Sequence, residues 1–345
     1  MSVFKQRRER LLLLASGFDN VVVADPKNLY YLTGFWGGGW GIVRPDATVL
    51  VTSVMEEKRA TGSSHEAEVV TAPVRSDQVK AVKRLLAKGR TLIDSKDGQV
   101  RGTVDTGPFI QARRKKDSEE LSLIRGASER IDKIYEMLEK TIRPGLTELE
   151  IAAEVMKQAT LDDLSPLAAE GSLSPIIIGS GENSAYPHAE LTKRKVRSGD
   201  MIVADIFFRY RGYCSDCTRT YAVGRVRKEQ RDGYEAVLEA ERHGVKMVRR
   251  GESGRDIHLA VKAILKGHRL DGFFTHGTGH GVGIDIHESP SLGGKSEDTL
   301  QTGDVVTVEP GIYIPGDYGI RIEDTLFVGN DVEVLTKYDR ELLIL

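Results

Sequence analysis

The chain has 345 residues, of which 40% are hydrophobic and 29% are charged, and its formal net charge at pH 7 is -2. This composition is typical of a globular protein and excludes a largely disordered or fibrous chain. The near-neutral charge gives no reason to expect nucleic acid or an anionic membrane as a partner, and the length suffices for one large domain or two ordinary ones.

The N-terminal residues place a basic run in front of a leucine run, as a secretory signal peptide does. The apolar segment covers only residues 11–15, which is shorter than the roughly 7–15 residues of a signal-peptide core. We therefore predict an amphipathic helix over 4–16 whose Arg and Lys side chains face solvent. No stretch approaches the roughly 20 apolar residues that span a bilayer, so we expect no membrane partner.

Residues 1–116 are predicted to form a small α/β domain, because short β-prone segments alternate with helical ones. The predicted strands cover 21–24, 41–43, 48–52, 69–71 and 91–93, and the predicted helices cover 4–16, 26–33 and 76–88. Segment 35–41, FWGGGWG, holds both tryptophans around three glycines. It is interpreted either as a loop whose aromatic rings pack locally or as a glycine-hinged lid that reaches a neighbouring subunit.

A basic run at 113–116 marks the predicted boundary, and a second domain over 117–345 follows it. In this domain, Ser118 is the predicted N-cap of one helix and Thr147 starts a second, and two further helices are predicted over 228–249 and 254–267. Thr147 and Glu150 have the spacing of a capping box. The domain repeats one plan twice, a pair of helices followed by a hairpin that carries carboxylates. We therefore assign the whole chain to the α+β class.

The first hairpin is predicted within residues 201–224, where two apolar segments flank a tight turn. With Tyr210 and Arg211 as a two-residue loop, Asp205 lies directly opposite Asp216. Directly opposed side chains have Cβ atoms about 4.5–5.5 Å apart, and like charges there repel. Surface acids beside a turn are the alternative interpretation. The apolar surroundings favour burial instead, so we predict that a metal cation lies between these carboxylates.

A second hairpin near the C-terminus repeats this arrangement. With a three-residue loop, Ile314 pairs with Tyr318, and the same register sets Glu309 opposite Glu323. Two divalent ions would neutralise four such carboxylates, and paired ions are usual in two-metal hydrolytic sites. A plain ion pair with Arg321 is the alternative interpretation of Glu323, because alternate strand residues share a face.

Three histidines lie in the glycine-rich segment 276–288 between the hairpins. His280, flanked by glycines, is the predicted neutral nitrogen ligand of the metal site. His287 is seven residues further on and faces the other way on a regular strand, which favours a role beside the substrate. His276 is interpreted as structural. Residue chemistry alone does not rank His188, which lies in a polar loop before the first hairpin.

The two cysteines, Cys214 and Cys217, form a CxxC sequence, which is compatible with a redox or zinc site. On a strand, residues three apart point to opposite faces, so these thiols are not expected to meet. The chain has no further cysteine to complete a zinc site. This cysteine usage fits a reducing compartment, and we expect a cytoplasmic protein.

Taken in order, these motifs resemble those of the pita-bread metallopeptidases, which include methionine aminopeptidase, aminopeptidase P and prolidase. The motifs are SDCTRT, HGTGHGVGIDIHE, VEPGIY and RIED. The resemblance covers essentially the whole chain, since prolidase-like members also carry a small N-terminal α/β domain. It implies a catalytic domain with the pita-bread fold, built from pseudo-twofold halves of paired helices and strands.

The resemblance also implies a complete set of metal ligands. The five positions are Asp205, Asp216, His280, Glu309 and Glu323. Two divalent ions per chain, of manganese, cobalt, zinc or iron, are expected to share Asp216 and Glu323. Asp205 would bind one ion, and His280 and Glu309 would bind the other.

For the substrate side, the resemblance implies roles for four residues. Glu309 would be the proton shuttle of the reaction. His188 and His287 would hold the substrate carbonyl and stabilise the tetrahedral intermediate. Arg321 would fix the carboxylate of Glu323 from behind.

Among the members of this family, a compact chain with both domains is most similar to a prolidase, which hydrolyses Xaa-Pro dipeptides. Prolidases are dimers, so a homodimer with a small peptide substrate is expected. One alternative is an Xaa-Pro aminopeptidase that cleaves longer peptides. Two others are a relative with different chemistry, such as a lyase, and a non-catalytic binding protein on the same fold.

Overall fold

A computed structural model describes residues 2–95, 98–167 and 174–345 of the chain. The chain divides into two compact units, Met1–Arg113 and Arg114–Leu345. Within the described ranges, no helix combines the length and the apolar character that crossing a membrane requires.

The first unit alternates strands and helices much as the sequence predicts. Its strands are β1 (Asn20–Val23), β2 (Trp40–Val43), β3 (Thr48–Ser53), β4 (Glu68–Ala72), β5 (Thr91–Ile93) and β6 (Thr103–Val104). Its helices are α1 (Val3–Leu14), α2 (Pro26–Thr33), α3 (Glu57–Ser63), α4 (Arg75–Leu85) and α5 (Gly107–Arg114). The strands form a mixed sheet in the order β4-β3-β2-β1-β5-β6.

Local signals explain where α2 begins and ends. Asp25 accepts a hydrogen bond from the backbone N–H of Lys27, and Pro26 opens the helix, where its fixed φ is compatible with the first turn. Gly34 ends the helix in the left-handed region at φ 85°, a conformation that glycine adopts without a steric cost. These are the start and stop positions that the sequence predicts.

The prediction of solvent-facing basic residues on α1 is wrong for Arg7 and Arg8, although Lys5 is exposed. Arg7 and Arg8 are 2% and 6% exposed, whereas Leu13 is 77% exposed. The guanidinium of Arg8 donates to the carbonyl oxygens of Leu32 and His65. Because these acceptors come from distant parts of the chain, the helix buries its arginines by hydrogen bonding, which the local pattern of residues does not reveal.

The structure separates the two tryptophans of segment 35–41. Trp40 is fully buried and begins β2, so it belongs to the core of the first unit. Trp36 is 36% exposed and lies edge-on to Tyr30, with 5.2 Å between ring centroids. Local aromatic packing, the first of the two interpretations, therefore describes this segment within its own unit.

The second unit contains the remaining elements. Its helices are α6 (Ser118–Thr141), α7 (Glu148–Leu161), α8 (Lys228–Met247) and α9 (Gly254–Gly267). Its first strands are β7 (Leu164–Pro166), β8 (Ile177–Ser180), β9 (Met201–Tyr210), β10 (Tyr213–Ala222), β11 (Gly279–Gly281) and β12 (Glu288–Leu292). Its last strands are β13 (Val305–Val308), β14 (Gly311–Ile314), β15 (Tyr318–Arg321), β16 (Asp324–Val328) and β17 (Val332–Val334).

The second unit packs a helix pair on strands twice, as the repeated plan in the sequence predicts. Apolar residues of α6 and α7 form one core with β9 and β10, and those of α8 and α9 form another with β14 and β15. Strands β12-β11-β13-β16-β17 form a further sheet. Thr147 and Glu150 make the predicted capping box. Helix α6 starts one residue earlier than expected, because Asp117 caps it rather than Ser118.

Candidate metal centre

The β9–β10 hairpin differs from the predicted register by two residues. Its loop is Arg211-Gly212, so Asp205 pairs with Thr218 and Asp216 pairs with Phe207. Arg211 and Gly212 both have positive φ, at 46° and 93°, as the favoured two-residue hairpin turns require. The predicted direct opposition of Asp205 and Asp216 is therefore wrong. An even shift keeps each side chain on its face, so both carboxylates still point to the same side.

The second hairpin follows the predicted register. Ile314 pairs with Tyr318 in β14–β15, and the β13–β16 ladder continues the same register on the other side of Glu309 and Glu323. The backbone N–H of Glu323 donates to the carbonyl oxygen of Thr218 at 3.1 Å, which joins this hairpin to β10. The two hairpins that carry the carboxylates are thus in direct contact through the backbone.

The predicted metal ligands, the two substrate-side histidines and Arg321 all line one cavity of about 330 Å³. They are His188, Asp205, Asp216, His280, His287, Glu309, Arg321 and Glu323. Asp216, His280 and Glu323 form its most compact group, with one potential ligand atom of each within 4.8 Å of the others. Nε2 of His280 is 3.5 Å from Oε1 of Glu309. Asp205 and Glu309 line the same cavity outside that compact group.

The ring of His280 is oriented as a metal ligand would be. Nδ1 lies 3.1 Å from the carbonyl oxygen of Gly281, and a carbonyl only accepts, so this nitrogen carries the proton. Nε2 is then the nitrogen with a free lone pair, and it faces Asp216 and Glu309 at 3.8 and 3.5 Å. A ligating histidine commonly fixes its tautomer through such a second hydrogen bond.

The glycines around His280 allow neighbouring strands to approach closely. A Cβ on Gly279 would lie 2.0 Å from the carbonyl oxygen of Thr307, and one on Gly281 would lie 2.4 Å from that of Ser289. Any side chain at either position would therefore push the neighbouring strand away. The glycines set the position of the His280 backbone between β12 and β13.

Three carboxylate oxygens in the cavity have no hydrogen-bond partner among the described residues. They are Oδ1 of Asp205, Oδ1 of Asp216 and Oε1 of Glu323. Buried carboxylate oxygens are costly unless hydrogen bonds or a cation compensate them. Together with the free Nε2 of His280, they form an oxygen-rich donor set with one imidazole, which fits divalent metal ions.

Burial raises the pKa of three carboxyl groups in the cavity, those of Asp216, Glu309 and Glu323. The pKa values of Asp216 and Glu323 lie well above their usual range, first because of burial and then because neighbouring carboxylates repel their negative charge. Burial also raises the pKa of Glu309 to about 8 and lowers that of His280 to about 3. Without a cation, the folded chain therefore favours protonated acids and a neutral imidazole here.

Arg321 supports a different ligand from the one predicted. Its NH2 group donates to Oδ2 of Asp205 at 2.7 Å, so the direct partner is Asp205 rather than Glu323. Its Nε donates to Oγ1 of Thr218, which in turn donates to Oε2 of Glu323 at 2.8 Å. One guanidinium thus orients Asp205 directly and Glu323 through a hydroxyl group.

The remaining histidines occupy the cavity wall. The ring of His287 lies edge-on to that of His280, with centroids 4.2 Å apart, and the segment before His188 is held because Arg321 donates to the carbonyl oxygen of Pro187. Nδ1 of His276 donates to the carbonyl oxygen of Gly277 at 2.8 Å, in keeping with its structural interpretation.

Two supporting residues, Thr218 and Tyr313, were missed from the sequence. Thr218 links Arg321 to Glu323, and the hydroxyl of Tyr313 contacts both Arg321 and Nε2 of His276, at 2.6 and 2.9 Å. Strand alternation contains the signal for the first, since Thr218 is two residues after Asp216 and shares its face. The role of Tyr313 can be identified only from the folded hairpin, because its partners come from separate segments.

The two cysteines do not meet, as the strand geometry predicts. Sγ of Cys214 donates to the carbonyl oxygen of Ile284, and Sγ of Cys217 donates to that of Glu323. Both remain free thiols. Burial raises the pKa of Cys214 to about 12, so this thiol is not a nucleophile at neutral pH.

Comparisons with known proteins agree with the geometry of the cavity. The model of metallopeptidase family M24 matches residues 122–330, and that of the creatinase/prolidase N-terminal domain matches residues 7–97. The chain is 32% identical to an Xaa-Pro dipeptidase of Pyrococcus furiosus, over 98% of this chain and 100% of that one.

Solved structures extend the likeness to three dimensions. An Xaa-Pro dipeptidase from Bacillus anthracis has a TM-score of 0.91 at 29% identity, with 99% of this chain and 100% of that one covered. An X-Pro aminopeptidase from Thermotoga maritima has a TM-score of 0.86 at 27% identity, with 98% and 100% covered. Both peptidase types therefore share this two-domain arrangement of elements.

Proposed function

Since the chain belongs to metallopeptidase family M24, we propose that it hydrolyses the imido bond of Xaa-Pro dipeptides with the help of two bound divalent ions. The membership makes it a metal-dependent peptidase. The similarity to named Xaa-Pro dipeptidases supports the substrate class. The observation that carries the proposal is the cavity, in which buried carboxylate oxygens without partners surround a histidine nitrogen with a free lone pair.

Five side chains would hold the ions. They are Asp205, Asp216, His280, Glu309 and Glu323, which line one cavity. When bound, a pair of divalent ions supplies Lewis acidity and a nucleophilic oxygen at neutral pH. A carboxylate-rich set with one imidazole suits manganese or cobalt, and also iron or zinc.

The leaving group sets the main demand on the protein. The nitrogen of an Xaa-Pro bond carries no hydrogen, because it belongs to a tertiary amide. It must therefore receive a proton when the C–N bond breaks. We assign this transfer to the carboxyl group of Glu309, which takes a proton from the attacking water and gives it to the prolyl nitrogen.

The two histidines of the cavity wall would bind the substrate carbonyl. A tetrahedral intermediate concentrates negative charge on the former carbonyl oxygen, and imidazole N–H groups from His188 and His287 would stabilise that charge. Arg321 would act indirectly, because its guanidinium is already engaged by Asp205, Thr218, Tyr313 and the backbone.

Hydrolysis of a small peptide panel tests the proposal. The purified chain, stripped of metal and then supplied with Mn²⁺, Co²⁺ or Zn²⁺, should cleave Ala-Pro with at least one of them and should lose activity when a chelator is added. Absence of Xaa-Pro hydrolysis with every metal would reject the proposed function. Ala-Ala serves as the control substrate with an ordinary secondary amide.

An Xaa-Pro aminopeptidase is the second candidate. The likeness to the Thermotoga maritima enzyme supports it, and so does a shallower depression beside the cavity. His276, Gly277 and Ser291 line both spaces, and residues 293–298 line only the outer one. A longer peptide could extend along that route. Faster cleavage of Ala-Pro-Ala than of Ala-Pro would favour the aminopeptidase.

We also propose a cytoplasmic homodimer. The resemblance to prolidases supports the dimer, and two buried free thiols are compatible with a reducing compartment. Light scattering coupled to size exclusion should give twice the chain mass of 38.1 kDa. A monomeric mass would contradict the dimer without affecting the assignment of the reaction.

A further inference from the structure

The basic run that marks the domain boundary contains a lysine that is buried in the second unit. Lys116 has a side chain only 1% exposed, and it forms an ion pair with Glu288, whose side chain is 6% exposed. Its neighbour Lys115 is exposed. Arg113 and Arg114 of this run are buried as well. A buried ammonium group is costly unless it is paired, so the pairing of Lys116 with Glu288 calls for a specific role.

The backbone around Lys116 is held firmly in the second unit. The guanidinium of Arg114 donates to both carboxylate oxygens of Asp304, at 2.9 Å each. The backbone N–H of Lys116 donates to the carbonyl oxygen of Gly303 at 2.9 Å. Because these hydrogen bonds fix the backbone at Lys116, its ammonium group can hold the carboxylate of Glu288 in one position.

Glu288 belongs to the turn that carries the two cavity histidines. It follows His287 directly and pairs with Gly281, the residue after His280, at an irregular point of the β11–β12 ladder. Its carboxylate lies against Gly283, since a Cβ there would be 2.2 Å from Oε1. The side chain of Glu288 thus lies against the 281–288 turn and links it to Lys116.

We infer that Lys116 is a positioning residue of the reaction. It acts through Glu288 to hold in place the 281–288 turn, which follows His280 and contains His287. This inference rests on the proposed function, in which His287 binds the substrate carbonyl. The two imidazole rings are in edge-on contact, so a displaced turn would move His287 relative to His280. Misplacement of a catalytic group by about 1 Å can cost roughly 100-fold in rate.

The test compares Lys116→Met with Lys115→Met, which removes an exposed charge one residue away. In hydrolysis of Ala-Pro with saturating Mn²⁺, Lys116→Met should lower kcat/KM by about 100-fold, mainly through kcat. Its bound metal, measured by elemental analysis, should equal that of the wild type. Lys115→Met should behave as the wild type, and Lys116→Arg should recover most of the lost rate because it restores the positive charge.

Hydrogen exchange gives a second readout that does not depend on activity. The amides of Val282 and Gly283 donate to the carbonyl oxygens of Val305 and Asp285. Lys116→Met should accelerate exchange in 281–288 several-fold and leave β16 unchanged. Equal exchange in 281–288 for Lys116→Met and Lys115→Met would overturn the inference, and so would equal kcat/KM in an active wild-type background.

These outcomes separate the inference from the proposed function. A wild-type chain that cleaves no Xaa-Pro peptide rejects the function, and the exchange comparison then decides alone whether Lys116 holds the turn. If Lys116→Met does not fold, Glu288→Gln replaces it, since it keeps the side-chain shape and removes the charge. That variant should show the same faster exchange, with about a 10-fold lower kcat/KM.

Discussion

Two buried clusters of acidic side chains lie on opposite sides of one segment of the chain. The consecutive residues Glu323 and Asp324 belong to one cluster each. On the cavity side, Glu323 lies with Asp216 and Glu309, and the pKa of all three carboxyl groups is raised by burial and by repulsion from neighbouring carboxylates, including Asp205. On the other side, Asp324 is 0% exposed. Burial alone would raise its pKa, but the guanidinium groups of Arg219 and Arg340 lower it overall.

The difference between these clusters lies in where the positive charge comes from. NH2 of Arg219 donates to Oδ1 of Asp324 at 2.9 Å, and Arg340 contacts the other oxygen. Arg219 also donates to the carbonyl oxygen of Glu323. In the Asp324 cluster, Arg340 also lies 3.4 Å from Oε1 of Glu241, so the chain itself supplies two guanidinium groups for these two acids. The cavity is lined by four carboxyl groups and by the guanidinium of Arg321. The cavity cluster therefore has the larger unbalanced negative charge, and this is why it fits a metal centre.

The largest effect is expected from changing Glu309 in the cavity cluster. Glu309→Gln keeps the shape of the side chain but cannot shuttle a proton, so kcat for Ala-Pro should fall by about 1,000-fold or more. The exposed Glu297→Gln is the matched control and should retain full activity. Unchanged circular dichroism and oligomeric state would show that the fold survives. Near-normal turnover by Glu309→Gln would refute its role as proton shuttle.

A substitution in the Asp324 cluster should lower the free energy of unfolding. Asp324→Asn leaves the buried guanidinium group of Arg219 and the partly buried one of Arg340 without the charge of Asp324. The free energy of unfolding should therefore fall by about 3–5 kcal/mol. The control is Glu333→Gln, which removes an ion pair with Arg125 whose side chains are 39% and 41% exposed. Solvent screening limits that pair to less than about 1 kcal/mol. Urea unfolding of both variants would measure the contrast, and equal losses would contradict it.

The sequence predicts the cavity cluster far better than the Asp324 cluster. Strand alternation and hairpin pairing place Asp205, Asp216, Glu309 and Glu323 on common faces, because these relations are local. The two-residue error in the first hairpin arose from setting Tyr210-Arg211 as the loop. A glycine at a position that requires positive φ, Gly212 here, is the signal that corrects it.

The Asp324 cluster could not be read from local patterns. Arg219 lies about a hundred residues before Asp324, and Arg340 belongs to the segment after the last strand. No periodicity relates residues at such separations. The buried arginines of α1 illustrate the same limit, because Arg8 reaches acceptors on other elements of its unit. Local rules assign faces and turns, and long-range ion pairs require the fold.

The pH dependence of stability should distinguish metal-free from metal-bound protein. Burial raises the pKa of Glu309 from 4.5 to about 8, so between these values the folded chain holds a proton that the unfolded chain has lost. Folded protein then binds more protons, and stability must fall as pH rises. Each such group contributes at most about 1.4 kcal/mol per pH unit. Burial lowers the pKa of His276 and His280 from 6.5 to about 3, so these imidazoles oppose the slope below about pH 6.5. Urea unfolding from pH 7 to 8 therefore measures the contribution of the carboxyl groups.

Saturating Mn²⁺ is the control for that slope. Bound cations favour the ionised carboxylates, so the fall in stability between pH 7 and 8 should become shallower. Glu241, whose pKa burial also raises to about 8, lies beside Asp324 and contributes equally with and without metal. The difference between the two slopes therefore reports the cavity alone, and identical slopes would contradict the assignment of Glu309 and its neighbours as metal ligands.

The smallest effect is a gain in stability from removing one acid of the cavity cluster. In metal-free protein at pH 7, the buried carboxyl group of Asp216 either retains a proton or, when ionised, repels the carboxylate of Glu323. An asparagine at this position has no charge and takes up no proton, so it avoids both costs. Asp216→Asn should therefore raise the free energy of unfolding by about 0.5–2 kcal/mol while it abolishes peptide hydrolysis. Added Mn²⁺ should stabilise the wild type more than the variant. A destabilised metal-free Asp216→Asn, like the expected result for Asp324→Asn, would mean that both clusters are completed by the chain itself.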